Sequence, residues 1–195
     1  MELGPDHRYK TLPELIAELV DVVAKNGVLL LNLGPRSDGT IPEPERELLL
    51  GIGKWLTING QAVYGSRPWV LAAEGPTLQA DGSFVDAVER TYTGADIRFT
   101  VQRRHGNEHL YATLLDWPED GIARIRAFGS GAGHLTRPVA RVRLLGHPGE
   151  VDWTQTADAL VVTLPADRPS AVGAVIRVTL EPTDPHSRMP FDPEL

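Results

Sequence analysis

The acidic side chains are the residues of this sequence best suited to chemistry, because paired carboxyl groups can act as general acid and general base. Glu43, Glu45 and Glu47 lie close together at the start of a predicted helix. Favourable interaction with the helix dipole accounts for acids in a first turn, so we interpret these three as structural. Asp21 falls on the polar side of an earlier predicted helix, where we expect it to be solvated. Asp38 precedes a glycine, which is typical of a turn.

The histidines and a glycine-rich run are weaker candidates, for a metal site and a phosphate site respectively. No helical His-x-x-x-His pair and no histidine at ligand spacing from a carboxylate occurs among the six histidines, which are His7, His105, His109, His134, His147 and His186. The glycine-rich run, residues 128–133, is followed by His-Leu-Thr-Arg-Pro, without a helix start or a Lys-Ser/Thr pair. We therefore expect no metal and no cofactor, and we interpret this run as a flexible connection.

Charge and composition narrow the classes of partner. The net charge is −7 and the basic residues are dispersed, so we expect no nucleic-acid partner, which would require concentrated Lys and Arg. No apolar run approaches membrane-spanning length, so no membrane partner is expected. The absence of cysteine excludes disulfides and thiolate ligands. The amino terminus has no basic-then-apolar signal pattern, and the compartment stays open.

Two helices are predicted in the first third of the chain. Thr11 and Glu14 have capping-box spacing, an apolar stripe follows, and Asn26-Gly27 is a suitable helix stop. Thr40 and Glu43 repeat the capping-box spacing before a second apolar stripe, which ends at Asn59-Gly60.

The segment between these helices predicts a strand. Val28–Leu33 is apolar without alternation, which is typical of a strand covered on both faces in a parallel sheet. No other stretch is a second such strand flanked by helices, so we interpret this segment as one piece of a sheet whose other strands are missing.

Short β-type runs separated by turn residues follow after about Trp69. Clean alternation, as in residues 97–101, indicates one dry and one wet face and hence an antiparallel sheet, and seven such strands suggest a sandwich. The predicted strands are Asp96–Gln102, His109–Asp116, Ile122–Phe128, Val139–Leu145, Val151–Gln155, Ala159–Leu164 and Ala174–Leu180. The proline-rich residues 181–195 are expected to form a tail.

Several runs of the sequence, taken together, resemble the α-L-fucosidases of glycoside hydrolase family 29. In the first half they are Tyr9–Ile16, Leu19–Gly27, Leu29–Pro35, Asp38–Pro42, Gly53–Leu56, Asn59-Gly60, Val63–Trp69 and Glu74–Thr77. In the β region they are Leu110–Pro118, Leu144–Gly146 and the strand containing Trp153. The resemblance extends over nearly the whole chain and is most specific in the first half.

The resemblance implies an α+β chain in two parts. Residues 1–68 would be the last helix-strand-helix unit of a (β/α)8-type barrel, residues 69–180 an all-β antiparallel sandwich, and residues 181–195 the tail. The family's catalytic nucleophile and acid/base come from segments ahead of Tyr9, and no position of this sequence matches either motif, so no catalytic residue is assigned.

Asn32 lies at the end of the predicted strand, and Arg36 and Asp38 lie beyond it. In a barrel these residues would lie on the face where active sites form. A role in binding substrate and a plain turn-and-scaffold role are both open for these three residues. Trp69, Trp117 and Trp153 could stack on a sugar, but each adjoins an apolar strand or a proline, and we favour burial.

Two functions of different classes remain open. The first is the C-terminal part of a retaining α-L-fucosidase that hydrolyses terminal α-L-fucosyl linkages, with fucosylated glycans or glycosides as partners of the parent enzyme and this chain inactive alone. The second is a non-catalytic carbohydrate-binding or docking module. The helix-strand-helix favours the first, because a free binding module has no need of a strand that requires parallel neighbours. The exposed barrel remnant is expected to promote self-association.

Overall fold

The described part of the chain has an α+β fold with two α-helices and two antiparallel sheets. A computed structural model describes residues 9–77, 91–104 and 107–182. Expectations for the first eight residues, for His7, His105 and His186, and for residues 183–195 of the tail lie outside these ranges. The helices and strands are α1 (Leu12–Ala24), α2 (Glu43–Asn59), β1 (Arg67–Glu74), β2 (Ile97–Arg104), β3 (Asn107–Leu114), β4 (Ile122–Ile125), β5 (Val139–Leu144), β6 (Trp153–Gln155), β7 (Leu160–Thr163) and β8 (Ala174–Leu180), with short 3₁₀ helices at Gly60–Ala62 and Arg126–Phe128.

Helix α1 begins and ends where the sequence predicts. The Thr11 side chain accepts a hydrogen bond from the Glu14 N–H, and the Glu14 carboxylate accepts one from the Thr11 N–H, which completes the capping box. Asn26 adopts a left-handed φ of 61°, and the Gly27 N–H donates to the Val22 carbonyl at 2.8 Å. The chain therefore turns sharply at Asn26.

Helix α2 begins differently from the prediction. Its N-cap is Pro42, which makes no side-chain cap hydrogen bond, and the predicted capping box at Thr40 and Glu43 is wrong. Thr40 lies two residues too early, and its hydroxyl and N–H both donate to the Asp38 carboxylate instead. Glu43 forms an exposed ion pair with Arg46 at 3.0 Å.

All seven predicted strands are present, within a few residues of their expected bounds. Strand β1 was not predicted, because Pro68 interrupts it and its side chains do not alternate. It lies at the edge of a five-stranded sheet with the order β1-β2-β3-β8-β5, where a proline is tolerated. The second sheet has three strands in the order β4-β7-β6, and every strand pair in both sheets is antiparallel.

The main core lies between the two sheets. Alternate residues of β2, β3 and β8 meet those of β4 and β7, and the largest fully buried apolar side chains include Phe99, Leu110, Ile125, Leu160 and Ile176. Because one face of each of these strands is dry, the period-two pattern was a sound predictor of the sandwich.

The two helices cover the other face of the five-stranded sheet. A second apolar cluster joins Ile16, Val20 and Trp55 of the helices to Tyr111 and Val175 of the sheet. The Trp55 indole N–H donates to the Val172 carbonyl at 3.0 Å, which attaches α2 to the loop before β8. The central strands of this sheet are therefore buried on both faces.

The expectation that Asp21 is solvated is wrong. Its side chain is 3% exposed and pairs with Arg98 of β2, itself 1% exposed, while Lys25 approaches the other carboxylate oxygen at 3.0 Å. Arg98 also donates to the carbonyls of Ile97 and Thr77. Asp21 can therefore be buried on α1 because Arg98 of the sheet supplies a positive charge that pairs with it.

The predicted strand Val28–Leu33 is not formed in this chain. Residues 27–36 have no helix, strand or turn, and no described residue pairs with them as a strand. Val28 is 94% exposed and Leu30 is 90% exposed. A strand requires a hydrogen-bonded neighbour, and within the described ranges none lies alongside this segment.

Candidate functional site

The segment between α1 and α2, residues 27–41, carries all three candidate site residues. Asn32, Arg36 and Asp38 are exposed and lie outside helices and strands. The segment leaves α1 at the left-handed Asn26, and its middle is held by Glu45 of α2, whose carboxylate accepts the Gly34 N–H at 3.0 Å. Glu45 is therefore structural, as its position predicts, but it binds a loop rather than its own helix end.

Arg36 and Asp38 are brought together in one tight turn. The Arg36 N–H donates to the Thr40 carbonyl at 2.8 Å, and the Asp38 carboxylate accepts the Thr40 hydroxyl at 2.7 Å and the Thr40 N–H at 2.9 Å. The hydroxyl bond and then the backbone bond hold the pKa of Asp38 below its usual value, and the Arg36 charge adds to this. Asp38 is therefore an ionised acceptor at neutral pH and is unsuited to act as a general acid. Within the described ranges, no hydrogen bond joins Asn32 to either residue.

Two further acids, Asp96 and Glu74, hold backbone N–H groups in place. Asp96 accepts the N–H groups of Thr77 and Thr93. The Glu74 carboxylate accepts the N–H groups of Arg126 and Ala127, although burial still raises its pKa above the ordinary value. Each of these acids fixes backbone, so none is a strong candidate for acid/base chemistry.

A groove at one end of the sandwich is a second candidate site. Its volume is about 250 Å³, and its lining includes the apolar Val101 and Leu110 together with Arg103, Glu108 and His134. Glu108 bridges Arg103 and Arg137 at 2.9 and 2.8 Å. A lining that combines apolar and charged side chains can hold a small ligand. The sequence did not predict this groove, because its lining comes from segments far apart in the chain.

The three tryptophans singled out in the sequence have different environments. Trp117 is buried and donates to the Ser170 carbonyl at 3.0 Å, as expected. Trp69 is half-buried beside the groove, with its ring centroid 5.1 Å from that of Phe128 and 6.0 Å from that of His134. Trp153 is 36% exposed, so the expectation of burial is wrong for this residue, which lies in the edge strand β6.

Two further features of the described residues concern metal binding and membrane spanning. No group of three potential His, Asp or Glu ligands comes together there. None of the described helices is both long enough and apolar enough to cross a membrane.

Comparison with known proteins identifies what the two helices and the sandwich belong to. A family model described as alpha-L-fucosidase matches residues 4–61, and one described as alpha-L-fucosidase C-terminal domain matches residues 91–181. Between them the two models match the greater part of the chain, in the order expected for a glycoside hydrolase followed by its C-terminal domain.

Individual relatives agree with the family models. Human tissue alpha-L-fucosidase is 34% identical over 171 residues, which are 87% of this chain and 31% of that protein. The alpha-L-fucosidase isoenzyme 1 of Paenibacillus thiaminolyticus superimposes with a TM-score of 0.65 and 28% identity, covering 91% of this chain and 36% of that one. The Thermotoga maritima alpha-fucosidase in complex with fucose gives a TM-score of 0.62 and 27% identity, covering 90% and 35%.

The proteins that this chain matches are glycosidases. The chain belongs to the α-L-fucosidase family and corresponds to its C-terminal portion. It spans about a third of the length of the relatives that it matches.

Proposed function

We propose that this chain works as the C-terminal part of a retaining α-L-fucosidase that hydrolyses terminal α-L-fucosyl linkages of glycans or glycosides. Family membership supports the activity, and the short span of the match supports a role as one part of a longer enzyme. Retention requires two carboxyl groups about 5 Å apart across the sugar. In this proposal both groups come from outside the chain.

The observation that carries the proposal is the exposure of the segment Val28–Leu33. Val28 and Leu30 present almost their whole side chains to solvent, and they lie between two helices that contribute to the apolar cluster on the five-stranded sheet. An apolar run that lacks neighbours is readily explained as the last strand of a (β/α)8-type barrel, with α1 and α2 as its flanking helices. The remaining strands of that barrel would cover it.

The domain division follows the same proposal. Residues 1–68 would complete the barrel, residues 69–180 would form the C-terminal sandwich, and residues 181–195 would be a tail. Strand β1 begins at Arg67, so the proposed boundary lies at the first residues of the sandwich. Because α1 and α2 also cover one face of the five-stranded sheet, the two parts share a core.

The isolated chain is expected to lack glycosidase activity. Incubation with an aryl α-L-fucoside should release no aglycone above the buffer rate, because the loss of catalytic carboxylates removes several orders of magnitude in rate. An enzyme restored to full length by an upstream barrel from a family member is the positive control. Turnover by the isolated chain that disappears on changing one of its own Asp or Glu residues would contradict the proposal.

We further propose that Asn32, Arg36 and Asp38 line the rim of the sugar site in the complete enzyme. All three are exposed: Asn32 lies at the end of the proposed last strand, and Arg36 and Asp38 follow it in one turn. In the restored enzyme, Asn32→Ala and Arg36→Ala should raise KM by about tenfold, the effect of one lost polar contact to substrate. Lys54→Ala, an exposed change on α2, is the matched control. Unchanged KM in both variants would assign these residues a turn role alone.

A non-catalytic carbohydrate-binding role has one observation in its favour, the groove beside Trp69. If the sandwich binds glycans by itself, the isolated chain should retain a fucosylated oligosaccharide on a column, and Arg103→Ala should abolish that retention. Binding that is unchanged by Arg103→Ala would remove the groove from consideration.

Self-association through the exposed segment is the last part of the proposal. Val28 and Leu30 are almost fully exposed, and exposed apolar surface is a known site of association between chains.

A further inference from the structure

Two arginines lie side by side on the helix-facing side of the five-stranded sheet, near its β5 edge. Arg143 of β5 and Arg177 of β8 are directly opposite each other in the antiparallel ladder. Directly opposite residues have Cβ atoms about 4.5–5.5 Å apart. Both side chains are half-buried. Like charges at such a position are destabilising unless something compensates them.

No acid of the described residues compensates this pair. Within those ranges the Arg143 side chain makes no hydrogen bond or ion pair, and the Arg177 side chain makes one hydrogen bond, from Nη1 to the Gln61 side-chain oxygen at 2.9 Å. The neighbouring Arg141, by contrast, pairs with Glu150 at 3.0 Å. The chain has 26 acidic residues against 19 Lys and Arg, so composition does not explain the lack of an acidic partner.

The two guanidinium groups also share an unusual deficiency. The Nε atoms of Arg143 and Arg177 are buried and have no acceptor among the described residues. A buried donor without an acceptor is costly, and nearly all such donors in folded proteins are satisfied by protein, water or a ligand. Two of them on facing arginines present adjacent donors to one shared acceptor.

His109 lies on the adjacent strand β3 and adds no further positive charge. Its ring Nδ1 is 3.0 Å from the Thr179 hydroxyl, and Thr179 is opposite both His109 and Arg141 in the ladder. Burial lowers the pKa of His109, and the Arg177 charge lowers it further. The imidazole is therefore neutral at neutral pH and can report on any anion that arrives beside Arg177.

We propose that Arg143 and Arg177 bind a tetrahedral oxyanion, a sulfate or phosphate group, on this face of the sheet. Guanidinium groups present planar forks of N–H donors that match the oxygens of such anions. Two facing groups offer donors to three or four oxygens, which a sulfate or phosphate group can supply and a carboxylate cannot. Gln61 fixes the orientation of Arg177. The group comes either from the free inorganic ion or from an ester on a glycan.

Thermal unfolding of the 195-residue chain tests this site. Melting temperature is measured at pH 7 in sodium sulfate, sodium phosphate and sodium chloride at equal ionic strength, because salts also stabilise proteins non-specifically. Wild type should show a saturable rise with sulfate or phosphate, and R143Q/R177Q should weaken the apparent affinity at least tenfold. The matched control is R46Q/R124Q, which removes the same charge from two exposed arginines paired with Glu43 and Asp120. This control should respond like wild type.

Two further melting experiments, one with galactose 6-sulfate and one with galactose, distinguish the two sources of the anion. A rise with the sulfated sugar alone marks an ester site, and a rise with inorganic ions alone marks a free-ion site; either result supports the proposal. Equal responses of wild type and R143Q/R177Q to every anion would overturn it.

A measurement on wild type alone covers the case in which the double variant fails to fold. Saturating sulfate should raise the pKa of His109, followed by NMR of the imidazole protons, and an unchanged pKa would also overturn the proposal.

Discussion

The buried ion pair between Asp21 and Arg98 gives the sharpest prediction for single residues. Asp21→Asn leaves the Arg98 guanidinium buried without its counter-ion, so the free energy of unfolding should fall by about 3–5 kcal/mol. The double variant D21L/R98M buries no charge and should recover most of this loss. Urea denaturation at neutral pH measures all three proteins.

An exposed ion pair provides the comparison for that experiment. Arg124 and Asp120 are about half exposed, and Arg124→Ala should change the free energy of unfolding by less than about 1 kcal/mol. If Asp21→Asn lowers the free energy of unfolding by no more than Arg124→Ala does, the buried pair does not hold α1 on the sheet.

Glu74 predicts a pH dependence with a definite sign. Burial raises its pKa in the folded chain above the ordinary 4.5, despite the two backbone N–H groups that its carboxylate accepts. The folded chain therefore holds this proton to higher pH than the unfolded chain, and the contribution of Glu74 to stability falls as pH rises from 4.5 through the folded pKa. Glu74→Gln removes this titration. Unfolding free energies measured over a pH series should show wild type losing stability relative to Glu74→Gln in that interval; a relative gain would contradict the sign.

At the scale of the elements, Trp55 is predicted to attach α2 to the sheet. Trp55→Phe loses the indole bond to the Val172 carbonyl and should cost about 0.5–1.5 kcal/mol, whereas Trp55→Ala also leaves a cavity and should cost about 3–5 kcal/mol. Leu50→Ala on the same helix, where Leu50 is 50% exposed, should stay within about 0.5 kcal/mol. Urea denaturation distinguishes these values, and equal losses for Trp55→Ala and Leu50→Ala would contradict the assignment.

The sequence was a good guide to elements that depend on local pattern. The strands of the sandwich alternate because one face is dry, and the α1 capping box needs only residues 11–14. The local pattern predicted wrongly where a residue far away in the sequence determines burial or strand pairing. Asp21 is buried because of Arg98, 77 residues away, and Val28–Leu33 has a strand composition without a strand partner among the described residues. The same applies to the candidate sites, since the turn at Asp38 was predicted locally but the groove and the Arg143–Arg177 pair depend on which strands become neighbours.

The whole molecule is expected to self-associate through the segment Val28–Leu33. Light scattering over a concentration series should give an average mass that rises above the 21.3 kDa of the monomer at tens of micromolar. The variant V28S/L30S should remain closer to the monomer mass, because it removes the two large apolar side chains that are most exposed among the described residues. Val70→Ser is the control, since Val70 is 69% exposed on β1, a different part of the surface. A monodisperse wild-type monomer would refute this expectation.

The hydrogen bond that attaches α2 at Val172 affects how substitutions at the neighbouring Gly173 are interpreted. Gly173 has a φ of 58°, and a Cβ atom there would lie 2.1 Å from the Leu114 carbonyl oxygen, so any other residue must displace the backbone beside Val172. That displacement would pass through Trp55 to α2, and through Glu45 to the loop at Gly34. In the proposed enzyme, a substitution at Gly173 would therefore weaken the attachment of α2, a defect of the helix whose origin is in the loop before β8.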